Sequence, residues 1–131
     1  MSLKYFTYKE FDCEYLKGSG RRCMMPHFLK FMDELRNRCK FPFYITSGFR
    51  TVQKNNELLR DPRYKASKTS SHLKGIACDV KITDSKKRAL FIGHAIELAE
   101  ENDYPVRIGI GKNFCHVDLD EDKATPRIWT Y

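Results

Sequence analysis

Two histidines and one aspartate have the residue types and the spacing of a metal site. His72 and Asp79 lie seven residues apart within residues 71–80, and His116 lies in a later apolar stretch, residues 114–118. A catalytic zinc takes three protein ligands of this kind and keeps a fourth position for water. The three residues therefore predict a zinc hydrolase, and the rest of the chain must position them.

The segment between His72 and Asp79 suits a sharp turn that leads into a strand. Gly75 can adopt backbone angles that other residues avoid, and the apolar run 76–82 predicts a strand. Side chains alternate along a strand, so Ala77 leaves space on the face that carries Asp79. A histidine in the loop and a carboxylate near the start of the strand can therefore meet.

Alternation also describes the stretch around His116. His116 and Asp118 share one face with Phe114, and the other face is apolar, formed by Cys115, Val117 and Leu119. Alone, this pattern favours a core histidine that is hydrogen-bonded to a local aspartate. Beside His72 and Asp79, a metal ligand is the better interpretation.

The remaining pattern predicts one α+β domain over residues 1–131, with a mainly antiparallel sheet flanked by helices. Helical spacing of apolar residues and capping residues predict helices at 26–39, 51–59 and 84–102. Strands are predicted at 41–48, 76–82, 106–111, 114–119 and 127–131. The last strands of this series are expected to form a meander. Residues 60–71 form a polar loop that leads directly into His72.

The net charge of +7 favours an anionic partner, such as nucleic acid, an anionic membrane surface or an acidic cell-wall polymer. No RNP, KH or zinc-finger pattern is present, so we do not expect a nucleic-acid partner. The sequence contains no run of 18 apolar residues, so no membrane span is predicted. A monomer is expected.

The five cysteines are odd in number and show no CxxC spacing, which argues against a disulfide framework and favours a reducing compartment. Cys78 and Cys115, beside two of the proposed ligands, are interpreted as small buried apolar residues. The N-terminus has no apolar signal-peptide core, and synthesis in the cytoplasm is expected.

Three stretches together resemble the signature stretches of the M15 zinc peptidases. They are Ser-Gly-Phe-Arg at 47–50, Ser-His-Leu-Lys-Gly-Ile-Ala-Cys-Asp-Val at 71–80 and Phe-Cys-His-Val-Asp at 114–118. That family includes D-Ala-D-Ala carboxypeptidases and dipeptidases, murein endopeptidases and phage endolysins, and it shares its fold with the hedgehog signalling domain. The resemblance runs from about residue 41 to the C-terminus. It is strongest to short phage-type members, which often end in Arg-x-Trp as at 127–129.

The resemblance implies that His72, Asp79 and His116 bind Zn²⁺. It also implies that Arg50 orients the substrate, by pairing with a carboxylate or by polarising the scissile carbonyl, for which its planar fork is suited. The expected activity is hydrolysis of peptidoglycan peptides, as a D-Ala-D-Ala carboxypeptidase or as an endopeptidase of endolysin type. A protein made in the cytoplasm would then reach the cell wall by a phage lysis route, by delivery within a virion or by another secretion route.

One position departs from the family pattern. Many members carry an acidic residue, the catalytic base, three positions before the last histidine ligand, and here that position is Asn113. Asp118 lies on the face of His116 and is predicted either as the base or as a residue that fixes His116 or Arg50. Without a base, the alternative is a zinc-binding virion or cell-wall-binding module with little or no catalysis.

Overall fold

The computed structural model describes residues 2–131, which form a five-stranded sheet and four α-helices. Two 3-10 turns, Tyr8–Phe11 and Ser71–Lys74, accompany them. The helices are α1 Ser19–Arg22, α2 Pro26–Cys39, α3 Val52–Arg60 and α4 Ser85–Asn102. The strands are β1 Ile45–Ser47, β2 Ala77–Lys81, β3 Arg107–Ile110, β4 Phe114–Asp118 and β5 Arg127–Thr130.

The strands are ordered β1-β2-β4-β3-β5, and every neighbouring pair is antiparallel except β3 and β5, which are parallel. The α+β class with a mainly antiparallel sheet is therefore confirmed. The predicted closing meander is wrong in its last step, because β5 lies beside β3 instead of β4. Both edges of β4 are already occupied, by β2 and β3, so the last strand cannot pair with β4 and lies at the free edge of β3.

One face of the sheet packs against α2 and α4 to form the core. The core side chains of α2 recur at helical spacing: Phe28, Leu29, Phe31, Met32 and Leu35. α4 contributes Phe91, Ala95, Leu98 and Ala99, and the sheet contributes Cys78, Val80, Ile108, Cys115 and Val117. The opposite face of β2 and β4 is left to carry polar side chains.

The helix boundaries follow from capping groups that the sequence displays. Pro26 begins α2, the Thr51 side chain accepts the backbone N–H of Lys54 at the start of α3, and Asp84 does the same for Lys87 at α4. The predicted strand 41–48 is shorter, since only Ile45–Ser47 pairs with β2 and the register shifts between these residues.

All five cysteines are free thiols, and Cys78 and Cys115 are fully buried in the core. Among residues 2–131, no helix is both long and apolar enough to span a membrane.

Candidate metal centre and its cleft

The pairing of β2 with β4 places Asp79 directly opposite His116, so both side chains lie on the same face of the sheet. His116 Nδ1 is 2.8 Å from Asp79 Oδ1, and His72 Nε2 is 3.4 Å from the same oxygen. One potential ligand atom from each residue lies within 4.8 Å of the others. The structure thus brings together the three predicted ligands.

His72 reaches the sheet because the chain turns sharply at Gly75. Gly75 ends the 3-10 turn with φ 69°, a left-handed conformation that favours glycine. A Cβ atom at this position would lie 2.0 Å from the carbonyl oxygen of Cys23, so the backbones pass too closely for any side chain. Two features therefore require glycine at position 75: the positive φ and the close approach of the Cys23 backbone.

The far nitrogen of each histidine is held by an acceptor outside the trio. His72 Nδ1 lies 2.8 Å from the Gly48 carbonyl oxygen and donates to it, which leaves Nε2 as the free nitrogen. His116 Nε2 lies 2.7 Å from Asp118 Oδ2 and donates to that carboxylate, which leaves Nδ1 facing Asp79. Metal-binding histidines are oriented in this way, and the donor set of two imidazoles and one carboxylate fits zinc.

The three side chains of the trio shift one another's pKa values. Burial lowers the pKa of His72, which favours its neutral form. Burial also lowers the pKa of His116, but hydrogen bonds with Asp118 and Asp79 outweigh it and raise this pKa to about 9. Burial raises the pKa of Asp79, yet the two histidines hold it well below its usual range. A bound cation would replace the proton between His116 and Asp79, because metal ligands must be deprotonated.

Asp118 lies on the other edge of the His116 ring from Asp79, and only 1% of its surface is exposed. Its Oδ1 lies 3.3 Å from Arg107 Nε and accepts the backbone N–H of Asp120, while Oδ2 accepts from His116. Both oxygens are therefore engaged. Of the two predicted roles for Asp118, this geometry favours fixing His116 over acting as the base.

Asn113 does not reach the trio. It lies in the turn between β3 and β4, and its carbonyl oxygen accepts the backbone N–H of Ile82, 3.1 Å away. It is also absent from the lining of the cleft over the trio, where Asp79 and Asp118 are the acidic residues in the described part of the chain. The position at which an acid is expected from the resemblance thus carries an amide that does not line this cleft.

Arg50 is buried, with 8% of its surface exposed, and its guanidinium is held by neutral acceptors. Nη1 donates to Asn55 Oδ1 at 3.1 Å and to Ser70 Oγ at 3.2 Å, and Nη2 donates to Ser47 Oγ at 3.2 Å. Nε is buried without any partner. Burial lowers the Arg50 pKa, and the nearby Asp79 opposes this shift. Residues 2–131 supply no carboxylate at ion-pair distance from Arg50. The guanidinium is therefore available to bind a carboxylate of a ligand.

Two residues that support Arg50 escaped the sequence analysis. Asn55, with 2% exposure, is held in turn by the carbonyl of Ser67, which its amide reaches at 2.8 Å. Phe11 accepts the backbone N–H of Phe49 at 2.9 Å, which anchors the loop that carries Arg50 to the N-terminal segment. No motif signals either contact, because each joins segments distant in sequence.

The trio and Arg50 open into a cleft of about 800 Å³. One wall is the loop between α3 and β2, and the other is aromatic, formed by Phe114, Trp129 and Tyr131. The Trp129 ring lies 5.5 Å from the His116 ring, and the Arg107 guanidinium stacks over Trp129 at 4.9 Å. Tyr131 was predicted only as part of a strand, and its place in this wall follows from the parallel pairing of β5 with β3.

The fold is similar to that of a bacterial endopeptidase. One match is to the crystal structure of the Serratia marcescens L-Ala D-Glu endopeptidase ChiX, with a TM-score of 0.64 and 21% sequence identity. It covers 76% of this chain and 82% of that one. No curated protein matches the chain significantly.

The chain belongs to the M15 peptidase family, because the family model described as Peptidase M15 matches residues 4–118. This confirms the predicted family and fold. The match begins well before residue 41, where the resemblance was expected to start. The N-terminal segment is thus part of the family domain, in agreement with its contact to the Arg50 loop.

Proposed function

We propose that this protein is a zinc-dependent peptidase that hydrolyses peptide bonds of bacterial peptidoglycan, as a carboxypeptidase or as an endopeptidase. One observation carries the proposal: His72, Asp79 and His116 converge, and each histidine has its far nitrogen held by a separate acceptor. Membership of a peptidase family supports the reaction class. The peptidoglycan substrate is supported by the family resemblance and by the basic charge of the chain.

Each residue of the site has a separate role in the proposed reaction. A zinc ion held by His72, Asp79 and His116 would supply an activated water and a Lewis acid at neutral pH. The Gly48 carbonyl and Asp118 fix the histidine rings. Arg50 binds a substrate carboxylate or the carbonyl oxygen that gains charge during attack, since it is buried and lacks an anionic partner within residues 2–131.

Digestion of purified peptidoglycan tests the proposal. We expect the zinc-loaded protein to release muropeptides, detected by chromatography and mass spectrometry. Chelation should abolish the release, and added zinc should restore it, because zinc would supply the activated water that attacks the peptide bond. Absence of products from several wall types, with zinc content confirmed by elemental analysis, would overturn the proposal.

A second candidate is a zinc-binding virion or cell-wall-binding module with little or no catalysis. The observation that favours it concerns the catalytic base: among the described residues, no carboxylate in the cleft is free of hydrogen bonds. Asn113 lies outside the cleft, and both oxygens of Asp118 are hydrogen-bonded. Wall binding without product release in the same digestion would support this candidate.

Asp118→Asn separates the two roles of this residue. If Asp118 positions His116, we expect zinc affinity to fall by about 10–100-fold, with much of the activity returning at saturating zinc. Loss of a catalytic base would instead lower kcat by about 10²–10⁴-fold at any zinc concentration. Zinc affinity, measured by competition with a chromophoric chelator, and kcat at saturating zinc together decide between the roles.

Asp122→Asn is the matched control for this substitution. Asp122 is an exposed acid in the loop after β4, where it pairs with Lys74 outside the cleft. We expect it to leave zinc affinity and kcat unchanged. Because Asp118 also pairs with Arg107, thermal unfolding of both variants must show that they are folded at the assay temperature.

A further inference from the structure

The charge in the cleft is strongly one-sided. The acidic residues in its described lining are Asp79 and Asp118, and both are hydrogen-bonded to His116. The cationic residues of the lining are Arg50, Arg63, Lys65, Arg107, Lys112, Lys123 and Arg127. A cleft lined by one sign of charge focuses the field and attracts ligands of the opposite sign.

Most of these cations have no anionic partner within residues 2–131. Arg63 pairs with Asp61, and Arg107 pairs with Asp118. No carboxylate of residues 2–131 lies at ion-pair distance from the others: Arg50, Lys65, Lys112, Lys123 and Arg127. The side chains thus gather like charges around a cleft without neutralising them internally.

Three of the five unpaired cations lie toward the two ends of the strand that carries His116. Lys112 lies in the turn before β4, and Lys123 follows β4 in the next loop. Arg127 opens β5, where it pairs in register with Arg107, which itself pairs with Asp118 at the end of β4. His116 is two residues, roughly 7 Å, from either end of β4. The candidate metal centre therefore lies between two cationic ends.

Lys123 is the most distinctive of these cations, because it is half-buried and still unpaired. Its burial lowers its pKa, and the neighbouring Arg107 and Lys74 lower it further against the effects of Asp120 and Asp118. A partly desolvated ammonium group gains more from an incoming carboxylate than a fully hydrated one does.

We propose that the cleft selects an acidic peptide with carboxylate groups on both sides of the scissile bond. Lys123 and Arg127 bind the carboxylate at one end of the cleft, and Lys112 binds the one at the other end. This assignment deepens the proposed function and rests on it. A peptide fits better than a nucleic acid, because the cations surround one cleft instead of forming a stripe that tracks a phosphate backbone.

Trp129 provides a direct measure of binding, since it is the one tryptophan of the sequence and it lines the cleft. The probes are a synthetic L-Ala-γ-D-Glu-diaminopimelate-D-Ala tetrapeptide with free carboxylates and the same peptide with every carboxylate converted to a carboxamide. We expect Trp129 fluorescence of the metal-free protein to give an about tenfold lower Kd for the acidic peptide. The difference should shrink as salt is added. Equal Kd values would overturn the proposal.

Variants assign the effect to the two ends of the cleft. Lys123→Gln with Arg127→Gln, and separately Lys112→Gln, should each reduce the preference for the acidic peptide. Lys86→Gln is the matched control, because Lys86 is exposed near the start of α4 and outside the cleft. An unchanged preference in both cleft variants would contradict the assignment. So would tighter binding of a single-stranded oligonucleotide than of the acidic peptide.

Cleavage assays with the zinc-loaded protein distinguish failure of this inference from failure of the proposed function. If the acidic peptide binds preferentially but no peptide or peptidoglycan is cut, the selectivity stands and the peptidase proposal fails. If both peptides are cut with equal kcat/KM, the peptidase proposal stands and the selectivity fails.

Discussion

Replacing His72, Asp79 or His116 by alanine is expected to remove zinc and nearly all peptidase activity. The three side chains offer ligand atoms within 4.8 Å of one another, and two of them are buried histidines, each with one ring nitrogen facing the trio. A catalytic metal supplies several kcal/mol of transition-state stabilisation, so kcat/KM should fall on the order of 10³-fold or more. Elemental analysis and muropeptide release measure the two losses on the same preparations.

The control for the ligand variants is His94→Ala. His94 lies on α4, partly exposed and 3.6 Å from Glu97, away from the cleft. It should retain full zinc content and activity, which shows that losing a histidine is harmless elsewhere. Unfolding temperatures of the metal-free proteins separate site loss from misfolding. A ligand variant that lost zinc and kept its activity would refute the metal-dependent mechanism.

The parts of the site that were predicted from sequence are those encoded within short segments. His72, Gly75 and Asp79 lie within eight residues, so the turn that brings them together follows from glycine conformation and strand alternation. His116 and its apolar neighbours also have a local pattern, and the burial of Cys115 and Val117 agrees with it. The direct pairing of Asp79 with His116 is a matter of sheet register, which neither segment specifies alone.

The parts that escaped prediction depend on contacts between distant segments. The environment of Arg50 comes from α3, from the loop before His72 and, through Phe11, from the N-terminus. The two roles left open for Asp118 differ only in which edge of the His116 ring it faces, which depends on a rotamer and not on spacing. The meander failed at β5 because local patterns give the strand but not its neighbour.

Arg50→Met is expected to lower kcat/KM by about 10²–10³-fold, the usual loss when one donor to a developing negative charge is removed. Zinc content should not change, since the Arg50 side chain contacts Asn55, Ser70 and Ser47 and none of the three ligands. The backbone N–H of residue 50 donates to the His72 carbonyl oxygen at 3.2 Å, and the substitution keeps that bond. Arg50→Lys should recover little activity, because an ammonium group cannot reproduce the planar fork. Steady-state kinetics on the acidic tetrapeptide, with zinc content measured in parallel, check both variants.

The same substitution separates substrate binding from stability, because the Arg50 guanidinium has no ion-pair partner in the described part of the chain. Three hydrogen bonds from the guanidinium to neutral acceptors are lost, but so is the cost of burying a charged group with an unpartnered Nε. These effects oppose each other, so the free energy of unfolding should change by no more than about 2 kcal/mol.

Arg60→Met, at the exposed end of α3, is the matched control and should leave kcat and KM unchanged. A rise in KM alone would assign Arg50 to holding a substrate carboxylate, whereas a fall in kcat would assign it to the reacting carbonyl. Unchanged kinetics would remove Arg50 from the site, leaving its burial without a ligand to explain it.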